Sequence, residues 1–228
     1  MIIMSGVSKR YNSGLYALRD INIHIKKGDF VFIVGPSGAG KSTFIKMLFR
    51  EVLPTSGNLF VNGLNVASMP EGEVPLLRRS LGIVFQDYRL LPDRTVHDNI
   101  SFAMQVIEAP YRTIQKRVNA VLDMVGLRHK SRAYPREMAG GEQQRVAIAR
   151  AIVNEPYLVI ADEPTGNLDP ENSREIMRIF QEINGDGTTI VMATHDKDIV
   201  NTMNKRVVAI EDGMIARDEV QGAYGYES

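Results

Sequence analysis

The stretch GPSGAGKST at residues 35–43 decides the fold, because it matches the pattern G-x-x-x-x-G-K-[ST] of phosphate-binding loops. It follows the apolar run FVFIV at residues 30–34 and opens a predicted helix over residues 41–49. A strand, a glycine-rich turn and a helix N-terminus in this order surround a phosphate with main-chain N–H groups and a favourable dipole. A chance glycine-rich loop has no reason to lie between these two elements. The stretch therefore predicts an α/β core that binds a nucleoside triphosphate.

The residues of this loop have different predicted tasks. Lys41 is expected to reach the β- and γ-phosphates and to take part in catalysis, and the Ser42 hydroxyl is expected to ligate Mg²⁺. The glycines allow the main chain to wrap closely around the phosphates. The predicted nucleotide-binding residues of the loop are Gly35, Pro36, Ser37, Gly38, Ala39, Gly40, Lys41, Ser42 and Thr43.

A second motif, YLVIADE at residues 157–163, ends an apolar run in two carboxylates. Carboxylates at the end of a buried strand are costly unless a bound cation neutralises them. We predict that Asp162 holds Mg²⁺ and that Glu163 is the general base for an attacking water. The alternative is a solvated strand end with an acidic helix cap, which the phosphate-binding loop upstream makes less favoured.

Apolar patterning predicts the other elements of the chain. Short apolar runs typical of a parallel sheet covered on both faces lie at residues 30–34, 81–85, 157–161 and 188–193. A second, antiparallel sheet is predicted at residues 21–25, 58–62, 206–210 and 214–217, with turns at Asn62-Gly63 and Asp212-Gly213. Helical spacing marks residues 41–49, 96–107, 113–125, 142–153 and 172–183.

Composition excludes several classes of protein. The 228 residues include no cysteine, which excludes a disulfide scaffold, a thiol nucleophile and cysteine-ligated metal sites. Lys+Arg and Asp+Glu both number 27, and this zero net charge argues against broad electrostatic binding to nucleic acid. The longest apolar runs are far shorter than the about 20 residues of a spanning helix. We therefore expect a cytoplasmic protein that meets a membrane only through another polypeptide.

Four further features follow one another around the phosphate-binding loop. Gln86 ends the apolar run LGIVF, MAGGEQQR at residues 138–145 opens a predicted helix, GNLD occupies residues 166–169, and His195 follows the run TTIVMA. Any one of them alone is usually structural, since a polar residue at a strand end or two glycines at a helix start are common. Their fixed order in one chain is far more specific.

Together these motifs resemble those of the ATP-binding-cassette family, and the resemblance covers essentially the whole chain. It implies that Tyr11, in VSKRY, stacks on adenine, that Gln86 is a catalytic, nucleotide-contacting and metal-binding glutamine, and that His195 is the catalytic switch histidine. Asp169 corresponds to the D-loop aspartate of the nucleotide site. The LSGGQ-like signature maps to residues 138–142, with Ala139, Gly140, Gly141 and Glu142 as expected nucleotide contacts.

The resemblance also implies a fold. We expect a single domain over residues 1–228 with a RecA-like P-loop NTPase core of mostly parallel sheet. An antiparallel β-subdomain and a helical subdomain carrying the signature motif, at approximately residues 87–155, complete it. The implied reaction converts ATP and water to ADP and phosphate with Mg²⁺.

Cassettes of this family work as head-to-tail dimers, which implies an ATP-dependent homodimer. Each ATP lies between the P-loop of one copy and the signature motif of the other. One departure concerns this contact, because Ala139 stands where the family has a serine that donates a hydrogen bond to the γ-phosphate. A hydrogen bond to a charged group is worth about 1.5–3 kcal/mol. The strength of ATP-driven dimerisation is therefore in question, whereas the fold is not.

The stretch ADEPTGNLDPENS at residues 161–173 resembles the group that includes lipoprotein-releasing, macrolide-export and cell-division cassettes. Residues 74–100, 192–213 and 216–226 are most similar to the cell-division members. That resemblance implies an integral membrane partner through which ATP-driven closure regulates peptidoglycan hydrolysis, and a location at the inner face of the cell membrane. The alternative is the ATPase subunit of a lipoprotein-releasing or macrolide-type exporter.

Two other classes fit the sequence less well. Soluble cassette proteins of DNA repair or translation carry long coiled-coil inserts or two cassettes, and this chain shows neither. A P-loop kinase would leave the signature-like motif and His195 without roles. For the membrane partner we predict docking on residues 87–92, where Tyr88, Leu90 and Leu91 form an apolar set.

Overall fold

The strands form a six-stranded and a four-stranded sheet in the computed structural model, which describes residues 1–225. The last three residues of the predicted domain, 226–228, lie outside the described residues. The strands are β1 (Ile2–Arg10), β2 (Tyr16–Ile25), β3 (Phe30–Val34), β4 (Ser56–Val61), β5 (Leu64–Asn65), β6 (Leu81–Phe85), β7 (Leu158–Asp162), β8 (Thr189–Ala193), β9 (Arg206–Glu211) and β10 (Met214–Glu219).

The helices lie mainly between the strands of the larger sheet. They are α1 (Lys41–Leu48), α2 (Val74–Arg79), α3 (Val96–Gln105), α4 (Tyr111–Met124), α5 (Gly140–Ile152), α6 (Pro170–Gly185) and α7 (Lys197–Met203). Three 3-10 turns lie at Glu71–Glu73, Arg128–Lys130 and Pro135–Glu137. Within residues 1–225, no helix has both the length and the apolar character needed to cross a membrane.

The larger sheet has the order β10-β9-β3-β8-β7-β6, and all its pairs are parallel except that of β10 with β9. The carboxyl ends of parallel strands meet at one edge of a sheet, where α/β proteins bind ligands. The predicted α/β core with a mostly parallel sheet is confirmed, and β3 and β6 cover the predicted residues. This edge receives the loop after β3 and the residues that follow β6, β7 and β8.

The placement of the last hairpin differs from the sequence-based expectation. The turn at Asp212-Gly213 is present, with positive φ at both residues, as a tight hairpin turn requires. The hairpin of β9 and β10 nevertheless belongs to the larger sheet, because β9 pairs in parallel with β3, where Ile33 lies opposite Val208. The prediction of an antiparallel sheet was wrong here, since a hairpin pattern fixes local pairing and leaves open which strand the free edge joins.

The smaller sheet is antiparallel and has the order β2-β1-β4-β5. It contains the predicted strands at 21–25 and 58–62, and also β1, which the sequence pattern did not reveal. Alternate burial of Ile2 and Met4 is interrupted at Gly6, whose φ is +61°, and the register with both neighbours shifts there. A bulge of this kind breaks the period-two pattern that identifies a strand. The short helices α2 and α7 were also not predicted.

The larger sheet separates two hydrophobic clusters. Phe30, Phe32 and Val34 of β3 pack into a cluster with the helices between β6 and β7, and Val31 and Ile33 pack into another with α1 and the smaller sheet. Because successive side chains of a strand point to opposite faces, β3 contributes to both clusters. The chain between β6 and β7 is helical, with α3, α4 and α5, as predicted.

A fully buried asparagine fixes the loop that precedes α3. Asn99 Oδ1 accepts a hydrogen bond from the Leu91 N–H at 2.8 Å. Its amide nitrogen donates to the carbonyl oxygens of Leu91, Arg94 and Thr95 at 3.0–3.1 Å. One side chain thereby contacts four polar groups of the loop at residues 91–95, with its two N–H groups shared among three carbonyl oxygens. This loop connects the segment after Gln86 to the helical insert.

We expect Asn99→Ala to lower the free energy of unfolding by about 1–3 kcal/mol, because the Leu91 N–H and the Arg94 carbonyl oxygen lose the partner that Asn99 supplies. Ser101→Ala on the same helix is the matched control, since the Ser101 hydroxyl donates to the carbonyl oxygen of His97 in its own helix. The measurement is urea-induced unfolding. Equal losses in the two variants would show that Asn99 contributes only as an ordinary buried side chain.

Candidate functional site

The loop between β3 and α1 follows a path that only glycine allows at two positions. A Cβ atom on Gly35, at φ +143°, would lie 2.1 Å from the Ile210 carbonyl oxygen. One on Gly40, at φ +109°, would lie 2.3 Å from the Ala17 carbonyl oxygen. The first turn of α1 has no side-chain cap and no acidic residue, so its N–H groups are left for an anion.

Lys41 folds back along the loop. Its ammonium donates hydrogen bonds to the carbonyl oxygens of Gly35 at 2.8 Å and Pro36 at 3.1 Å. The positive charge is thus held against the same loop whose N–H groups would surround a phosphate. This is the placement expected for a lysine that contacts phosphate oxygens.

Asp162 ends β7 in a half-buried position beside α1. Burial raises the pKa of its carboxyl group, and the charge of Glu163 raises it further. The charge of Lys46, the nearby Ser42 hydroxyl and the charge of Lys41 offset part of this rise in pKa. The carboxylate is therefore incompletely compensated, and a bound cation would be stabilised there.

Glu163 and His195, two predicted catalytic residues, are in direct contact. His195 Nδ1 lies 2.8 Å from Glu163 Oε2, which also accepts a hydrogen bond from the His195 N–H at 3.3 Å. Glu163 has a left-handed backbone with φ +50°, and its N–H donates to the Ala193 carbonyl oxygen at 2.9 Å. Such a conformation is uncommon for a non-glycine residue and clusters at functional sites. The adjacent strand β8 thus fixes the direction of the Glu163 carboxylate.

Gln86 lies after β6 and contacts the segment that contains the D-loop residues. Its amide nitrogen donates to Asn167 Oδ1 at 3.4 Å, and a Cβ atom on Gly166 would lie 2.9 Å from the same nitrogen. Ser42, Gln86 and Asp162 line one cavity together with Asn167. The structure thereby brings the three predicted metal-binding residues to a common space.

Tyr11 lies beside the far end of the loop. Its hydroxyl is 3.3 Å from Thr43 Oγ1, and the Lys9 ammonium is 5.2 Å from the ring centroid. The residue is 40% exposed, so part of the ring is free to stack on a planar ligand. The geometry is compatible with the predicted adenine contact.

The signature residues open α5. Ala139 is the N-cap, and its N–H donates to Glu142 Oε2 at 3.0 Å. The Lys130 ammonium pairs with the same carboxylate and lowers the pKa of Glu142. A Cβ atom on Gly141 would lie 2.2 Å from Asn172 Oδ1, so α5 approaches the start of α6 very closely at this glycine.

Asp169 caps α6. Its carboxylate accepts hydrogen bonds from the N–H groups of Glu171 and Asn172 and from the Asn172 side chain at 2.6 Å. The bonds from Asn172 are the largest cause of the lowered pKa of Asp169. The D-loop aspartate and the signature glycine Gly141 thus share Asn172 as a neighbour.

Several residues of the site were missed by sequence reasoning. Asn167 lies inside the motif GNLD and Asn172 lies three residues after it, so their proximity to the motif could have indicated a place in the site. Lys46 lies one helical turn after Ser42, a spacing that places both on one face of α1.

Two other residues had no usable signal in the sequence. Gln144 of α5 is fully buried and donates to the Pro164 carbonyl oxygen at 2.7 Å, which links the signature helix to the turn after Glu163. Tyr224 packs against the cluster that contains Phe32, and its N–H donates to Asn201 Oδ1 at 2.8 Å. Both contacts arise from tertiary packing between distant parts of the chain.

Comparison with known proteins gives three kinds of similarity. A family model described as "ABC transporter" matches residues 18–166. The "Cell division ATP-binding protein FtsE" of Streptococcus pneumoniae serotype 2 (strain D39 / NCTC 7466) is 57% identical over 227 residues, which cover 100% of this chain and 99% of that protein. The protein of the same name from Escherichia coli (strain K12) is 42% identical over 227 residues, with 100% of both chains covered.

A solved structure is similar over nearly the whole chain. It is described as "Dimeric structure of a post-hydrolysis state of the ATP-binding cassette MJ0796 bound to ADP and Pi". The TM-score is 0.88 at 33% sequence identity, and the match covers 98% of this chain and 100% of that one. The similarity therefore includes both sheets and the helical insert between β6 and β7.

Proposed function

The chain belongs to the ABC transporter family of ATP-hydrolysing cassettes, and from this we propose that it is the ATPase subunit of a membrane complex acting in cell division. The family and the ATPase activity predicted from six motifs are thereby confirmed. The single observation that supports the catalytic assignment is the contact between Glu163 and His195, one residue away from the half-buried Asp162.

ATP would be held by two elements of this chain. The Tyr11 ring stacks on adenine, while the loop N–H groups and the Lys41 ammonium bind the phosphates. Both elements lie together, since the Tyr11 hydroxyl meets Thr43 at the end of the loop. Binding of ATP within one copy therefore depends on residues before and after β3.

Mg²⁺ fits the residues at the start of α1 and at the ends of β6 and β7. The Ser42 hydroxyl, the Gln86 amide oxygen and the Asp162 carboxylate are hard oxygen ligands of the kind that Mg²⁺ prefers, and they line one cavity. The raised pKa of Asp162 reports a carboxylate that lacks a full counter-charge. When bound, the ion would neutralise charge on the phosphates and on this carboxylate.

Glu163 performs the proposed proton transfer. Its carboxylate accepts a proton from the water that attacks the γ-phosphate, and the contact with His195 holds the carboxylate in one orientation. The left-handed backbone of Glu163 is stabilised by its bond to β8, so the position of the general base is linked to the central sheet. Gln86 lines a cavity with Asp162 and donates a hydrogen bond to Asn167 in the D-loop segment.

A head-to-tail homodimer would complete the site with the signature residues of a second copy. The related cassette of known structure is dimeric and holds ADP and phosphate. In this chain Ala139, Gly140 and Gly141 open α5, whose N-cap residue offers no capping side chain and whose dipole favours an anion. Because Ala139 has no hydroxyl, only the backbone N–H groups of the signature motif would donate hydrogen bonds to the γ-phosphate.

The proposed partner is an integral membrane protein of the FtsX type, which would keep this chain peripheral at the cytoplasmic face of the cell membrane. We propose no nucleic-acid partner. The names of the full-length relatives support the cell-division role. Of the expected docking set at residues 87–92, Leu90 packs against the core and Leu91 is half-buried, so that set is smaller than the sequence indicated.

The partner is tested by affinity purification of the tagged chain from detergent-solubilised membranes. We expect an FtsX-type membrane protein to co-purify, and cells that carry the untagged chain are the control. Recovery of a permease of the lipoprotein-releasing or macrolide type in its place would contradict the cell-division assignment.

We expect Glu163→Gln to retain ATP binding and to lower turnover by about 10²–10⁴-fold, the usual cost of removing a general base. Loss of the negative charge also removes repulsion with the γ-phosphate, so an ATP-bound dimer should accumulate. ATPase assays and light scattering with and without ATP measure the two effects. Near-normal turnover of the variant would remove Glu163 from its proposed role.

We expect Ala139→Ser to strengthen ATP-dependent dimerisation and to leave ATP binding by the monomer nearly unchanged. The hydroxyl adds one donor toward a charged phosphate, and a gain of about 1.4 kcal/mol would tighten the dimer about tenfold. Sedimentation titrations with ATP in the Glu163→Gln background compare the two residues. Equal dimerisation would mean that position 139 does not meet the phosphate or that backbone N–H groups already saturate it.

A further inference from the structure

The segment after Gln86 contains two consecutive residues in left-handed conformation. Tyr88 has φ +57° and Arg89 has φ +47°. Neither residue is glycine, and side chains of this size rarely adopt positive φ. Such a pair persists only where the surrounding structure holds it in place.

Arg150, in the last turn of α5, supplies that restraint. Its guanidinium donates one hydrogen bond to the Tyr88 carbonyl oxygen at 2.9 Å and another to the Arg89 carbonyl oxygen at 2.6 Å. The side chain is largely buried, and burial lowers the pKa of Arg150. The planar fork of arginine is suited to two adjacent acceptors, which a lysine ammonium cannot bind in the same way.

The Tyr88 side chain reaches the opposite end of the same helix. A Cβ atom on Gly140 would lie 2.9 Å from the Tyr88 hydroxyl oxygen and 3.6 Å from Leu168. Gly140 does not have positive φ, so the close approach comes from the Tyr88 side chain, whose hydroxyl end would have to move to admit a Cβ atom. Burial raises the pKa of Tyr88, in agreement with a hydroxyl partly removed from water.

We propose that Tyr88 is a positioning residue that links the segment after Gln86 to the signature glycine Gly140. Its carbonyl is fixed by Arg150 at the end of α5, and its hydroxyl occupies the space over Gly140 at the start. The proposal rests on the proposed function, in which Gly140 meets ATP held by a second copy. A change in the backbone of residues 88 and 89 would withdraw the hydroxyl and alter the face that receives the phosphate.

A positioning role for Tyr88 and a role in simple packing predict different effects of replacing it. ATP binding by one copy uses Tyr11 and the loop at residues 35–43, whereas the hydrogen bonds of Tyr88 within residues 1–225 are with Phe85 and Arg150. A positioning role for Tyr88 therefore affects dimerisation and spares ATP binding by the monomer. General loss of packing would weaken both together with thermal stability.

Tyr88→Asn in the Glu163→Gln background tests the role. Asparagine tolerates the left-handed backbone, so the variant removes the ring and keeps the local conformation. Tyr111→Asn is the matched control, because Tyr111 is 74% exposed on α4. We expect Tyr88→Asn to weaken ATP-dependent dimerisation about tenfold in sedimentation titrations, with ATP affinity of the monomer within about twofold of the parent.

Hydrogen exchange of the nucleotide-free protein tests the contact itself. The Gln143 N–H donates to the Ala139 carbonyl oxygen at 2.9 Å in the first turn of α5. We expect this amide to exchange faster in Tyr88→Asn and in Arg150→Lys, and to be unchanged in Tyr111→Asn. If Arg150 acts through Tyr88, the double variant should dimerise no more weakly than Tyr88→Asn alone.

The proposal would be overturned if the Gln143 amide exchanged at the same rate in Tyr88→Asn as in the parent. It would also be overturned if Tyr88→Asn dimerised normally, or if its ATP affinity as a monomer fell as much as its dimerisation. If the effects of Tyr88→Asn and Arg150→Lys on dimerisation were fully additive, Arg150 would not act through Tyr88. If the Glu163→Gln parent itself did not dimerise with ATP, the head-to-tail assembly would fail as a separate matter. The exchange measurement would still decide whether Tyr88 holds the start of α5.

Discussion

The central strand β3 is buried on both faces, and the position of the candidate site depends on that. Phe32 fits the cluster on the helical side and Ile33 the cluster on the side of α1, so the strand can neither shift by one residue nor turn over. Because β3 is fixed in this way, the phosphate-binding loop begins at a fixed position at the edge of the sheet. Because Gly35 lies against the Ile210 carbonyl of β9, the loop is fixed by packing before any phosphate binds.

The polar residues of the site are stabilised less well than the core around them. Asp162 is half-buried beside the like charge of Glu163, and Glu163 has an unfavourable backbone conformation. Both features cost free energy in the absence of a ligand. A nucleotide with its cation would supply the missing positive charge, so ligand binding and stability of this edge of the sheet are linked.

Local sequence patterns named candidate site residues, whereas they gave no information on the contacts between those residues. The runs that became β3 and β6, and the order of the motifs, follow from local patterns. The strand β1 was missed because a bulge at Gly6 breaks its alternation, and β9 was assigned to the wrong sheet because its partner β3 is distant in sequence. The contact of Gln144 with Pro164 likewise depends on how α5 packs, which no local spacing reports.

The parallel pairing of β9 with β3 has a consequence for synthesis of the chain. The residues of the phosphate-binding loop leave the ribosome early, whereas Ile210, which forms the wall behind Gly35, is made much later. A nascent chain that already contains the complete motif GPSGAGKST therefore lacks the strand that closes the loop from behind. The phosphate-binding loop therefore reaches its final packing only after β9 has been translated and added to the sheet.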